Sequence, residues 1–510
     1  MTTKTACSSK SHYNPGWPFR DFQLGRAGAV LFSIKSEAIG ESAIAVYDFD
    51  KPEYTKGGFK VAYIEEFLEF LAIPSISALP EHKPDIAKAS EWLRAKMARA
   101  GIEDVQIITG KGHPVVFGRK NALATDSSQA PTVLIYGHYD TQPADPLDEW
   151  LSPPFEPEIR DGKIYARGSA DNKGGVFPAI LAAQEAIADN SLPVNLKFLF
   201  EGEEEIGSPT LKALLDANKG LFECDLVLSV DGGMYSKDIP SITTGCRGLA
   251  AIQIEVSGPG TDVHSGGHGG AIHNPIHALA EILVGLKDNE GRILVEGFYD
   301  SVTGISEEER KKFSEAPFDE DAYRTRVGVP ALFGEPEYSL IERMWVRPTL
   351  DANGIWGGFQ GEGVKTIIPA RAGCKITCRL VPDQDPEDIC KALENHIKKH
   401  TPKGVGVSVT IFPGNSKPYV IPDHHPVLPV VAGVLEELYG HKPVNVRLGG
   451  TLPIARAFLD ILGTHLFFFA MSSPDANAHG PNEFIRIDEF ERLRKGLRIF
   501  WDRYAASQKT

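Results

Sequence analysis

Cysteine is scarce in this chain, with six in 510 residues, at positions 7, 224, 246, 374, 378 and 390. So sparse a set excludes a scaffold built on disulfides. Cys374 and Cys378 also lack the spacing of a paired-thiol motif, so the thiols read as reduced core or surface residues. Long apolar runs are missing too. No stretch approaches the roughly 18 apolar residues of a membrane-spanning helix. Basic excess is absent: 53 Lys and Arg stand against 68 Asp and Glu, a net charge of -15. Binders of nucleic acid carry a basic footprint, so that class is excluded. The acidity reads first as solubility and second as attraction for cations. The apolar run Ala27 to Ile34 is short and far from the first residue, so no secretory leader is expected. Lys4, Lys10, Arg20, Arg26 and Lys35 face only Asp21 over that region, a faint transit-peptide character. The expected location is cytoplasmic. Internal repeats and low-complexity tracts are also lacking.

What is present is ordinary globular composition, 42% hydrophobic and 24% charged. The length predicts two or three domains. Residues 1–58 are weakly periodic and rich in Gly, Ser and Pro, an N-terminal extension of unassigned role. From Val61 a helical pattern runs to Leu71, and a second helix is predicted over 86–100. Apolar runs at 132–136, 196–200, 226–230 and 466–470 read as buried strands, separated by helical stretches at 176–187 and 211–218. That alternation predicts an α/β layered domain over 59–240 and 426–510. The block 241–425 differs. It holds alternating strands at 251–256, 373–381 and 406–411, a helix at 275–286, and a charged stretch near 301–345 with little apolar periodicity. It reads as an α+β domain inserted into the first.

Each apolar strand leads into a potential metal ligand. The first runs into His138 and Asp140, the second into Glu203-Glu204-Glu205, the third into Asp231, and the fourth through a loop to His479. Asp171 lies in Arg167-Gly168-Ser169-Ala170-Asp171-Asn172-Lys173, just before a helix. In open α/β sheets, sites form outside the carboxyl ends of the strands, so these side chains could converge on one rim. Two histidines with several carboxylates suit two Zn²⁺ or Mn²⁺ ions sharing a bridging carboxylate. A nearby unbound carboxylate can then take a proton from an activated water. Taken singly, a His-x-Asp after a strand is usually structural, and a run of Glu there is usually a solvated turn. Their joint placement at strand ends reverses that.

The segments GHYDTQP (137–143), YARGSADNKGG (165–175), EGEEEIGS (201–208), DVHSGGHGG (262–270) and AHGPNE (478–483) resemble the M20 metallopeptidases. The resemblance runs from about residue 60 to the end, is nearest to the dipeptidase branch, and implies a catalytic domain with an inserted dimerisation and lid domain. It implies that His138 and Asp231 hold one metal ion, that Glu205 and His479 hold the other, and that Asp171 bridges them across a cis Asp171-Asn172 bond. Glu204 would be the general base, and Asp140 would orient His138. The family has two adjacent Glu followed by x-Gly-Ser, which Glu204-Glu205-Ile206-Gly207-Ser208 fits, so Glu203 is the spare. His264 corresponds to a histidine that reaches the other subunit's active site and stabilises an oxyanion, hence an expected homodimer. Arg379 corresponds to an arginine that clamps the substrate carboxylate. Thr451, in Gly449-Gly450-Thr451-Leu452-Pro453, stands where the family usually has Ser.

The implied activity is two-metal hydrolysis of dipeptides or short peptides. The alternative is a deacylase or carboxypeptidase on the same scaffold; a third reading is a non-catalytic binding relative. Asp at position 231 goes with aminopeptidase-type enzymes and dipeptidases, and a full ligand set with Glu204 argues against a dead relative. No nucleic-acid or membrane partner is expected.

Overall fold

A computed structural model describes residues 29–35, 42–48 and 63–509. Two compact units are distinguished, 1–69 and 70–510. In the first, strand Ala29–Lys35 pairs antiparallel with Ser42–Asp48. The remainder of the 1–58 extension lies outside the described residues.

The second unit is built around a six-stranded sheet. Thr132–His138 lies at its centre, with Asn195–Glu201 on one side and Leu226–Ser229 and then Leu466–Phe468 on the other, all parallel. The carboxyl ends of these strands therefore share one rim. Val115–Lys120 and then Glu103–Ile108 extend the sheet antiparallel, with Glu103–Ile108 at its edge. The parallel strands are continuous apolar runs because both faces are covered. Helix Lys173–Ala188 is buried at almost every position through Ala183, so it has no solvent face to encode. It packs against the last helix, Ile487–Ser507, whose Arg494 and Arg498 both bond Glu185.

A second, four-stranded sheet is antiparallel throughout, in the order Thr349–Gly357, Arg371–Leu380, Gly248–Ser257, Gly406–Ile411. Gly248–Ser257 alternates buried and half-exposed residues, the pattern of a sheet with one covered face. Ile252, Ile254, Ile376 and Cys378 pack there against Leu279 and Ile282 of helix Pro275–Val284 and Ile389 and Leu393 of helix Pro386–Lys399. Each such buried aliphatic contributes about 1.5–3 kcal/mol. All of these strands fall within 241–425. Ser241–Cys246, at the start of that block, pairs instead with Tyr419–Val420 and, in parallel, with Val444–Leu448.

The stretch 301–345, which reads as aperiodic, holds three short helices, Glu307–Ser314, Glu320–Val327 and Leu340–Trp345. Their starts are set by side-chain caps from Ser306, Asp319 and Ser339, with Glu309 and Glu342 closing capping boxes. They bury only a small satellite core of Phe313, Ala316, Ile341 and Val346. Few of their positions are buried, so little apolar period shows in the sequence.

Candidate metal centre

His138 ends the central strand and is fully buried. Its Nε2 lies 3.0 Å from Asp171 Oδ1, 3.8 Å from Asp231 Oδ2 and 4.0 Å from Glu204 Oε2. On the far side of the ring, Nδ1 is 3.2 Å from the backbone oxygen of Asp140 and 3.4 Å from its Oδ1. His479 sits on the loop after the outer parallel strand, in a left-handed conformation with φ 64°. Its Nε2 is 3.0 Å from Asp171 Oδ2 and 3.0 Å from Glu205 Oε2. The two oxygens of Asp171 thus face different imidazoles. His138, Asp171 and Asp231 form one group, and Asp171, Glu205 and His479 another, with the candidate ligand atoms of each within 4.8 Å of one another.

Several local devices set this arrangement. The carboxylate of Asp140 accepts the backbone N–H of Glu204 at 3.2 Å and of Glu205 at 3.1 Å, tying the His138 strand to the glutamate turn. Asp171 precedes helix Lys173–Ala188 across a cis peptide bond to Asn172. Gly174 and Gly175 let that helix start close in: a Cβ at Gly175 would come within 2.1 Å of the carbonyl of Val230, the residue before Asp231.

The charge balance fits metal ions. Asp140, Asp171, Glu204, Glu205 and Asp231 crowd around two imidazoles, and among the described residues no Lys or Arg forms an ion pair with any of them. Burial, with Asp171 and Glu205 nearby, pushes Asp231 up to about 7 despite His138. Burial likewise raises Glu204 well above the usual carboxylate range. Bonds to Asp171 and Glu205 lift His479 to about 10. Glu205 Oε1 is buried and has no hydrogen-bond partner. A carboxylate oxygen left bare beside unneutralised carboxylates is what a cation would satisfy.

Sequence reasoning assigned no role to three residues that brace the centre. Glu483, fully buried, accepts from Arg167 Nη1 at 2.7 Å and from the backbone N–H groups of Gly168, Ala170 and Asp171 at 2.8–3.0 Å. Arg167 Nη2 also donates to the carbonyl of His479 at 3.1 Å. One buried pair therefore joins the loops that carry Asp171 and His479. Both residues lay inside recognised motifs, and only their burial marks their task. Glu203 is buried as well. Its Oε1 accepts from Thr210 N at 2.7 Å and from the Thr210 hydroxyl, and its Oε2 accepts from His113 N at 3.1 Å. These bonds occupy both oxygens of its carboxylate.

The other residues singled out by sequence fall elsewhere. Arg379 donates from Nη1 to the Thr451 hydroxyl at 2.9 Å. His264 is exposed; its Nδ1 accepts from Gly266 N at 2.9 Å, and its short strand pairs with Ile367–Ile368. Among the described residues it makes no hydrogen bond to either group.

Two histidine–carboxylate groups brought to the carboxyl rim of the parallel strands of a mixed sheet fit the metal-dependent hydrolases of α/β architecture. Residues 134–502 match Peptidase family M20/M25/M40, and the chain belongs to that family. It is 31% identical over 455 residues to the Beta-Ala-His dipeptidase of Homo sapiens, covering 86% of this chain and 88% of the relative. It is also 31% identical to a Cys-Gly metallodipeptidase of Schizosaccharomyces pombe, covering 86% and 94%. Among solved structures it resembles an M20 family metallo-carboxypeptidase of Sulfolobus solfataricus, with TM-score 0.76 and 33% identity over 87% of this chain and 99% of the other.

Proposed function

We infer that this peptidase hydrolyses dipeptides with two divalent ions, Zn²⁺ or Mn²⁺. The observation that carries the reading is Asp171, whose two oxygens lie 3.0 Å from His138 and 3.0 Å from His479, with Glu204 alongside. In this reading His138 and Asp231 would hold one ion, Glu205 and His479 the other, and Asp171, which belongs to both groups, would serve both. When bound, such ions lower the pKa of a water and draw charge from the scissile carbonyl. Glu204, close to His138 and not needed as a ligand, accepts the water's proton and returns it to the leaving amine. Asp140 fixes the ring of His138 while holding the Glu204-Glu205 backbone, so ligand and base move together.

Arg379 and Thr451 are assigned to the substrate's C-terminal carboxylate, which a guanidinium can bind through two parallel N–H bonds. A carboxylate gripped close to the cut leaves room for about one residue beyond it, which favours dipeptides. His264 is assigned to the oxyanion, acting on the partner subunit's site in a homodimer; its exposure and purely local bonds support that reading. The lid and dimerisation region is assigned to 241–425, the catalytic domain to 59–240 and 426–510. A cytoplasmic location is supported by Cys224, Cys246, Cys374, Cys378 and Cys390, all unpaired. No helix among the described residues is long and apolar enough to cross a membrane.

The likeness to a metallo-carboxypeptidase favours a second reading, cleavage of a C-terminal residue from longer or N-acylated substrates. The deciding assay is a panel of dipeptides, tripeptides and N-acyl amino acids with Zn²⁺ and with Mn²⁺. Free dipeptides should be cleaved fastest. Faster turnover of N-acyl amino acids would replace the dipeptidase reading with the second.

A further inference from the structure

Arg247 sits between strands Ser241–Cys246 and Gly248–Ser257. Its Nε donates to the carbonyl of Gly449 at 2.8 Å, and its backbone N–H to those of Leu448 and Gly450 at 3.2 and 3.1 Å. Arg379 bonds Thr451 of the same loop. In the antiparallel ladder Leu249 lies opposite Arg379, and Arg247 is two residues before Leu249, hence on the same side-chain parity. Two guanidinium groups therefore meet at one loop, and among the described residues neither has a carboxylate within ion-pair distance. Burial first, and the charge of Arg379 second, hold Arg247 down to about 10.

A cavity of about 520 Å³ opens beside Arg247, lined also by Thr349, the other ladder neighbour of Arg379. Its cations are Arg247, Lys287, Arg343 and Arg347, and its carboxylates Glu335 and Asp351. Glu335 is taken up by both arms of Arg347 at 2.7 Å, and Asp351 lies 3.5 Å from Lys287 Nζ. Arg343 donates from Nε only to the Tyr338 carbonyl, and Arg247 from Nη1 only to that of Arg347. The cavity thus keeps two guanidinium groups, Arg247 and Arg343, with no carboxylate within ion-pair distance among the described residues, and Asp351 only partly offsets the charge of Arg247. Half-buried charges without counter-ions are costly unless a ligand completes them.

We propose that this cavity is a subsite for an anionic group, so that a dipeptide ending in Asp or Glu is held by Arg379 and Thr451 at its terminal carboxylate and by Arg247 at its side chain. The inference rests on Arg379 and Thr451 being the carboxylate clamp. The test compares Ala-Glu with Ala-Gln, which match in shape and differ by one charge, on the metal-loaded full chain. The kcat/KM for Ala-Glu should exceed that for Ala-Gln by about tenfold or more, through KM, as a charge-assisted hydrogen bond supplies. Arg247→Met should bring the ratio toward one, and Arg247→Lys should keep part of it. Because Arg247 also holds the Gly449 loop, a fall on both substrates alike reports that loop, and only the ratio reports the charge. A wild-type ratio near one, or one unchanged in Arg247→Met, overturns the proposal. Calorimetric titration with L-glutamate and L-glutamine needs no turnover. Glutamate should bind more tightly, with the difference lost in Arg247→Met. Equal binding overturns the subsite even if dipeptides are cleaved. A glutamate preference in a protein that cleaves no dipeptide rejects the dipeptidase reading and leaves the subsite standing.

Discussion

The rim of the six-stranded sheet and the region around the four-stranded sheet hold their functional side chains in opposite ways. At the rim, His138 and Asp140 are fully buried, and they and the neighbouring carboxylates bond one another or the adjoining backbone. In the other region the His264 side chain is exposed and bonded only to its own turn, and the Arg379 guanidinium has a hydroxyl as its one hydrogen-bond acceptor among the described residues. His138 ends a parallel strand, and the other rim side chains sit on turns and loops that bonds from Asp140, Arg167 and Glu483 hold in place, so their spacing is set before any ligand arrives. In the proposed function the others are left open for a substrate or a second chain. Preorganisation at the rim favours chemistry, and openness elsewhere favours recognition.

The strongest challenge to this contrast is Glu204→Gln. It should keep its metal content and lose about 10²–10⁴-fold in kcat, the usual contribution of a general base. Turnover near wild type in the metal-loaded variant would remove Glu204 from the role. Next is Glu483→Gln, which leaves Arg167 buried against a neutral partner. A broken buried ion pair costs about 3–5 kcal/mol, so thermal unfolding should shift down and metal retention on dialysis should weaken together. A large loss of stability with unaltered metal affinity would mean that the pair braces the fold without bracing the site.

His264→Ala should lower kcat by about 10²–10³-fold, as loss of one oxyanion donor does, yet change stability by less than about 0.5 kcal/mol, as exposed sites do. Mixed with Glu204→Gln chains it should regain activity, because one site of each mixed dimer holds both intact groups. Confirmed mixed dimers without recovery would place His264 outside the partner's site. The smallest effect is expected from Glu203→Gln. Its carboxylate is occupied by Thr210 and His113, so the change should cost about 1–3 kcal/mol of stability and little turnover. If this variant, rather than Glu204→Gln, lost activity, the base would be one residue earlier.

Much of the rim is readable in the chain itself. Apolar runs that lead to His138, Glu204 and Asp231, and through a loop to His479, need a parallel sheet to start those residues from one edge, and burial on both faces makes such strands apolar throughout. The alternation at 251–256 likewise predicts a sheet with one covered face, and Gly248–Ser257 has one. Other elements leave weaker traces. Val115–Lys120 finds its place by pairing with Asn195–Glu201, some eighty residues on, and Glu103–Ile108 forms the sheet edge by pairing with Val115–Lys120 alone. Thr349–Gly357 is largely exposed, so no apolar period announces it. The helices of 301–345 declare themselves only through their capping residues.

Local periodicity along the chain therefore marked the strands that lead to the rim, and residue type marked candidate ligands there, because both depend on single side chains and their near neighbours; the roles of those candidates came from the M20-like motifs. The tertiary structure alone decided what occupies Glu203, that Glu483 gathers the Asp171 and His479 loops, and that Arg247 joins Arg379 beside a cation-lined cavity. Each of these depends on burial and on partners tens to hundreds of residues away, and a carboxylate or guanidinium in sequence carries no sign of whether its counter-charge will be within reach once the chain has folded.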